Sequence, residues 1–184
     1  MKACTVQQPH ACALAAGWKP TENRGHTVKH RGEFAIHSGL AVSDYPLPSP
    51  AAADVFEQLG GYAGLWRAGD KHGGHEYEGP PLLALGAVIA VADLVDVHPA
   101  VGGPGGVCCS PWGQARHGAA RRPAHHLVLA NVRALSRPVP CRGNHMVPWD
   151  LPADVETAVR AQLAAAPAGL GVPTAVAVKE PHRG

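Results

Sequence analysis

The sequence predicts a small α+β domain of short strands, short helices and long loops, and three observations carry that prediction. At 184 residues the chain suits one domain whose core stands without disulfides. Its 22 Gly and 18 Pro argue for many turns and long connections rather than a helical bundle. The apolar segments are short and β-branched, and none reaches the roughly 18 residues of a membrane-crossing helix.

Taken in order, Ala3 to Val6 is a short apolar strand leading into Gln7-Gln8-Pro9. Pro9 suits the first turn of a helix, where no N–H is needed, and Gly17 suits its C′ position. Lys19, Glu22 and Arg24 then crowd one connecting segment, Arg31-Gly32 is a turn, and Phe34 to Ile36 is a strand ending at His37-Ser38. This strand, short helix, charged loop and second strand are expected to close over one small polar pocket. Ser49 caps a helix from Pro50 to Leu59, with Pro50 at its first position and Gly60 as its stop. Residues 60–81 form a long surface loop. Ala84 to Val97 is a buried strand, Pro99 to Pro123 a second long loop, and His126 to Val132 the next core strand. Val139 to Trp149 is expected to return across the sheet, with turns at Gly143 and Pro148. Val155, Val159 and Leu163 recur at helical spacing within a helix from Ala153 to Ala165, and the Ala/Gly/Pro-rich remainder is expected to be a flexible tail. The domain is thus placed at 1–150, with 151–184 as a C-terminal helix and tail.

Across residues 3–150 the chain resembles the ASCH domain family, small β-barrels related to the PUA-type RNA-binding barrels. The likeness rests on Gln8-Pro9, then Gly17-Trp18-Lys19-Pro20-Thr21-Glu22-Asn23-Arg24, then Arg31-Gly32 and Ile36-His37-Ser38. It continues through Gly86 to Val95, His126-Leu127-Val128-Leu129, Pro140-Cys141-Arg142-Gly143 and Trp149. His10 stands where the family usually has Trp, and Ser38-Gly39 where Ala-Ser is common. The resemblance implies a PUA-like β-barrel of about five or six strands with flanking short helices and long loops. It also implies a nucleic-acid or nucleoside-binding pocket around Lys19, Glu22 and Arg24, and catalysis by the motif lysine in some members.

The residues themselves leave alternatives open. An ordinary lysine, near 10.4, must fall to about 7 before Lys19 serves as base or nucleophile; otherwise it is the partner of Glu22 in an ion pair closing a loop. Glu22 is an acid/base, a carboxylate reading the donor edge of a base, or the structural partner of Arg24 or Arg31. Arg24 either braces the fold or meets an anion, because guanidinium stays charged and grips carboxylate or phosphate bidentately. His37 and Ser38 are neighbours on a strand, so at most one faces a ligand. Gln8 and Arg31 are placed at the pocket, and His10 either stacks on a base there or is a packed core histidine. Arg142, Asn144 and Trp149 form an opposite wall, with Trp149 stacking on a base or plugging the core.

His72 and His75, Cys108-Cys109 and His125-His126 lack the paired spacing of a structural zinc site, so no metal and no cofactor are expected. Neither a P-loop nor a nucleotide-binding Gly fingerprint is present. The N-terminus turns polar too early for a secretory h-region, and five Cys form no regular framework, so reduced thiols in a cytoplasm are expected. Net charge is only +2, but Val97 to Trp149 holds no acid and includes Arg116, Arg121, Arg122, Arg133, Arg137 and Arg142. If that segment and Lys19–Arg31 share a face, the face attracts anions.

The expected function is therefore binding of single-stranded RNA, another single-stranded nucleic acid or a modified nucleoside. The runner-up is a metal-independent amidohydrolase or ribonuclease using Lys19, Glu22 and a hydroxyl of Thr21 or Ser38. A protein-interaction domain with a vestigial pocket comes third. Neither a membrane nor an obligatory protein partner is expected.

Overall fold

Six strands form the central sheet of the computed structural model: β1 (Lys2–Gln8), β2 (Thr21–Arg24), β3 (Gly32–Val42), β4 (Ala87–Pro99), β5 (His125–Pro140) and β6 (Trp149–Asp150). Residues 1–72, 75–76, 79–103, 106–118 and 122–165 are described. The order is β6-β1-β3-β4-β5-β2. β1 and β3 run parallel, and the other pairs are antiparallel. Three helices complete the mixed α+β fold: α1 (His10–Ala15), α2 (Pro50–Gln58) and α3 (Ala153–Ala165).

Local chemistry explains the helices. α1 ends in a Schellman motif: Gly17 adopts φ +77°, its N–H donates to the Leu14 carbonyl, and the Trp18 N–H reaches back to Ala13. α2 begins where the Ser49 side chain accepts from the Ala52 N–H at 3.4 Å, and its chain leaves through Gly60 at φ +117°. α3 buries Val155 and Val159, as the spacing predicts.

Two apolar layers flank the sheet. On one side α1 buries every residue from Ala11 to Ala15 beside Val6, Phe34, Ile36 and Ile89. On the other, α3 packs with Val88, Val91, Leu135 and Trp149. β4 is covered on both faces from Ala87 to Ala92, which is why it reads as an unbroken apolar run.

Several expectations need correction. Thr21–Arg24 is a strand, not a connection, because its backbone pairs with His125–Val128 of β5. Val139 and Pro140 do not return across the sheet; they end one long strand whose three register shifts let it bend. Among the described residues, 60–81 and 99–123 are not loop alone. They contain a short 3₁₀ helix at Gly61–Gly64 and two-residue strand pairs, among them Gly102–Gly103 with Gly106–Val107 and Arg116–His117 with Arg122–Pro123. The expected flexible tail lies outside the described residues.

The sheet does not close into a barrel: no pairing joins β2 to β6 among the described residues. Both strands are too short to zip a seam, with four and two residues. β6 covers only Lys2 and Ala3 of β1, so the rest of that edge of β1 has no strand beside it. There Arg24 of β2 donates to the Thr5 carbonyl of β1 at 2.7 Å. A side chain, rather than a backbone ladder, bridges the gap. Among the described residues no helix is long and apolar enough to cross a membrane.

Candidate functional site

A cleft of about 1080 Å³ opens along that seam. Its floor is the motif segment. Lys19 leaves α1 through the Schellman turn and is only 2% exposed. Its Nζ donates to the Thr21 carbonyl at 2.6 Å and pairs with Glu22. The other carboxylate oxygen of Glu22 takes Arg24, whose second amino group reaches the Thr5 carbonyl and, at 2.9 Å, the Cys4 sulfur. One carboxylate thus holds two cations beneath the cleft.

The electrostatics follow from burial and these partners. Burial pushes the Lys19 ammonium below its usual range, against the pull of Glu22. Burial also opposes ionisation of Glu22, but Lys19 and Arg24 outweigh it and hold the carboxyl down to about 2. Arg24 is driven the other way: burial works against its charge, and Cys4 and Glu22 more than restore it. The Cys4 thiol is raised by burial. His10 and His117 are lowered, first by burial and then by Lys19 and Arg24 respectively, so both are neutral imidazoles. His10 Nε2 faces the Tyr45 carbonyl at 3.1 Å and must therefore carry the proton, since a carbonyl only accepts. Its Nδ1 is buried without a partner.

The walls come from segments distant in sequence. Among the described residues, Lys19, Arg24, Arg116 and Arg122 line the cleft against Glu22 as the one carboxylate, with His10, His26, His117 and His145 between them. Tyr45 stands on the rim 69% exposed. Asn23 pins one wall: its amide donates to the Trp112 carbonyl and accepts from the Gln114 N–H, each at 2.9 Å.

The other expected site residues lie elsewhere. Gln8 is fully buried, with its amide donating to Leu82 at 2.7 Å and accepting from the Cys12 N–H, so it braces α1 rather than lining the cleft. Arg31 holds the Val28 and His30 carbonyls. His37 is buried with Nε2 at the Cys141 carbonyl, edge-on to Trp149 at 5.6 Å. Trp149 packs under α3 and is the core plug, not a stacking platform in the cleft. Ser38 is fully buried between β1 and β4. Arg142 is exposed away from the cleft, and Asn144 closes its own turn onto the Met146 N–H. Of the arginine-rich segment, Arg116 and Arg122 share the cleft with Lys19, whereas Arg133 pairs with Glu33 and Asp93.

Sequence spacing also missed a second cluster. His98, Cys108, Cys109 and His126 place one ligand atom each within 4.8 Å of one another. The expectation of no metal rested on spacing within loops, and that test is blind to ligands brought together by strand pairing. The adjacent cysteines were the available signal. A scan against models of protein families finds no match, and no curated protein matches the chain.

Proposed function

We propose that the chain is an ASCH-type, PUA-like domain that binds a nucleotide or single-stranded nucleic acid, RNA foremost, in the cleft around Lys19, Glu22 and Arg24. One observation carries the reading: among the described residues, Lys19, Arg24, Arg116 and Arg122 line the cleft with four imidazoles and one carboxylate, Glu22. Such a surface attracts phosphate, and exposed Tyr45 at its rim is suited to stacking on a base. The volume accommodates a nucleoside with its phosphates.

A second reading, the metal-independent hydrolase, has the lowered Lys19 in its favour. Glu22 weighs against it, because a carboxyl held near 2 carries no proton to donate at neutral pH. Both are tested together. Labelled single-stranded RNA and nucleotides are titrated by fluorescence anisotropy at two salt concentrations. The same mixtures, with acylated cytidines added, are followed by mass spectrometry with Lys19→Ala as control. Salt-dependent binding with every substrate returned intact supports the reader. A product that disappears in Lys19→Ala establishes the hydrolase instead, and no binding at low salt overturns both.

A further inference from the structure

We infer that His98, Cys108, Cys109 and His126 form a structural zinc site, independent of whatever occupies the cleft. His98 and His126 are directly opposed across β4 and β5, so the sheet register itself sets two imidazoles side by side, ring centres 5.2 Å apart. The paired strands Gly102–Gly103 and Gly106–Val107 lead into Cys108 and Cys109, which sit against both rings.

The atoms meet as zinc requires. Tetrahedral zinc with ordinary Zn–S and Zn–N bonds keeps sulfur and nitrogen ligands about 3.6 Å apart. Cys108 Sγ lies 3.3 Å from His126 Nδ1, and Cys109 Sγ lies 3.5 Å from His98 Nε2. The opposite nitrogen of each ring is committed to a backbone carbonyl at 3.0 Å: His126 Nε2 to Gln114 and His98 Nδ1 to Pro99. A carbonyl only accepts, so each of those nitrogens carries the proton, and the lone pairs of His126 Nδ1 and His98 Nε2 face the sulfurs. The Val101 N–H donates to Cys108 Sγ at 3.2 Å, as an amide does to a metal-bound thiolate.

The local backbone is bent to this arrangement. Cys109 adopts φ +61°, unusual for a residue with a side chain. A Cβ at Gly113 would collide with the Cys108 carbonyl and the His126 ring, so only glycine admits the turn there. His126 is fully buried, and the other three ligands are half-buried. Two thiolates with two imidazoles make a closed set that favours zinc over harder cations, and it leaves no open position for catalysis. Binding releases the two thiol protons. The consequence is architectural: the knuckle leads straight into Trp112 and Gln114, the wall segment that Asn23 holds.

The test uses the full chain purified without chelator from zinc-supplemented medium. Elemental analysis is expected to find about one zinc per chain. Replacement by cobalt is expected to give visible tetrahedral bands with a thiolate-to-cobalt charge-transfer band in the near ultraviolet. Cys108→Ser and His126→Gln are expected to lower metal content at least tenfold, and Cys141→Ser to keep it. Should those variants fail to fold, the wild-type cobalt spectrum still decides, because its charge-transfer band requires thiolate ligation. Wild-type protein with no metal and no such band overturns the site, as does undiminished zinc in folded Cys108→Ser/Cys109→Ser protein. Neither readout involves nucleic acid, so failure here leaves the cleft's function untouched.

Discussion

Glu22 is the residue on which the cleft floor depends, since both buried cations beneath the cleft lean on its two oxygens. Glu22→Gln keeps the shape and removes the charge, leaving Lys19 and Arg24 facing each other. Loss of one partner from a buried pair destabilises by about 3 kcal/mol, to be read from urea unfolding. The pH dependence has a definite sign. The Glu22 carboxyl falls from 4.5 when unfolded to about 2 when folded, so its contribution is complete above 4.5 and lost as pH drops towards 2. About 3 kcal/mol of acid sensitivity over that window is expected in the wild type and not in Glu22→Gln. Lys19 acts at the other end. Its folded value is lowered, so between that value and 10.5 the unfolded chain holds more protons and stability rises with pH. Lys19→Met is expected to abolish that alkaline rise.

Among the elements, α1 is the one that local chemistry specifies most fully. Pro9 and Gly17 mark its ends in the sequence, and Gly17 takes the left-handed conformation that a Schellman turn needs. A Cβ there meets nothing within 4 Å, so Gly17→Ala isolates the backbone term. It is expected to cost about 1 kcal/mol, visible as a lowered Tm. β2 is the opposite case. Thr-Glu-Asn-Arg has no strand signature of its own, and its extended form comes from the ladder offered by β5. Asn23 on this strand is buried between Glu22 and Arg24 and turned towards the loop. Asn23→Ala leaves the Gln114 N–H without its acceptor and frees the wall at Trp112. The expected loss is about 1–2 kcal/mol of stability by denaturant titration, with faster amide exchange at Gln114.

For the whole molecule, the open seam and the distribution of charge coincide. Thr5 to Gln7 of β1, beyond the part that β6 covers, line the cleft together with Lys19, Arg24, Arg116 and Arg122. If a single-stranded ligand lies there, log K falls with log salt by roughly 0.7 for each phosphate contacted. Arg122→Ala is expected to weaken binding and flatten that slope by about 0.7, measured by anisotropy across a salt series. Arg133→Ala, whose arginine pairs with Glu33 and Asp93, is expected to leave the slope unchanged.

The α+β class, the three helices, the cap residues Gly17 and Ser49, the buried β4 and the clustering of Lys19, Glu22 and Arg24 are all legible in the sequence. Each is a matter of residues within a few positions of one another, where propensity, capping and periodicity act directly. The rest depends on how distant segments assemble. Gln8, Arg31 and Trp149 look like ligand contacts in a motif, yet their partners are Leu82, Val28 and the α3 layer, which no local pattern identifies. His117, Arg122 and Tyr45 line the cleft from connections far from Lys19 in sequence. His98 and His126 share a site because one register of β4 against β5 sets them opposite each other. A strand's register depends on burying one face of every residue along it at once, so it belongs to the assembled sheet and to no single segment.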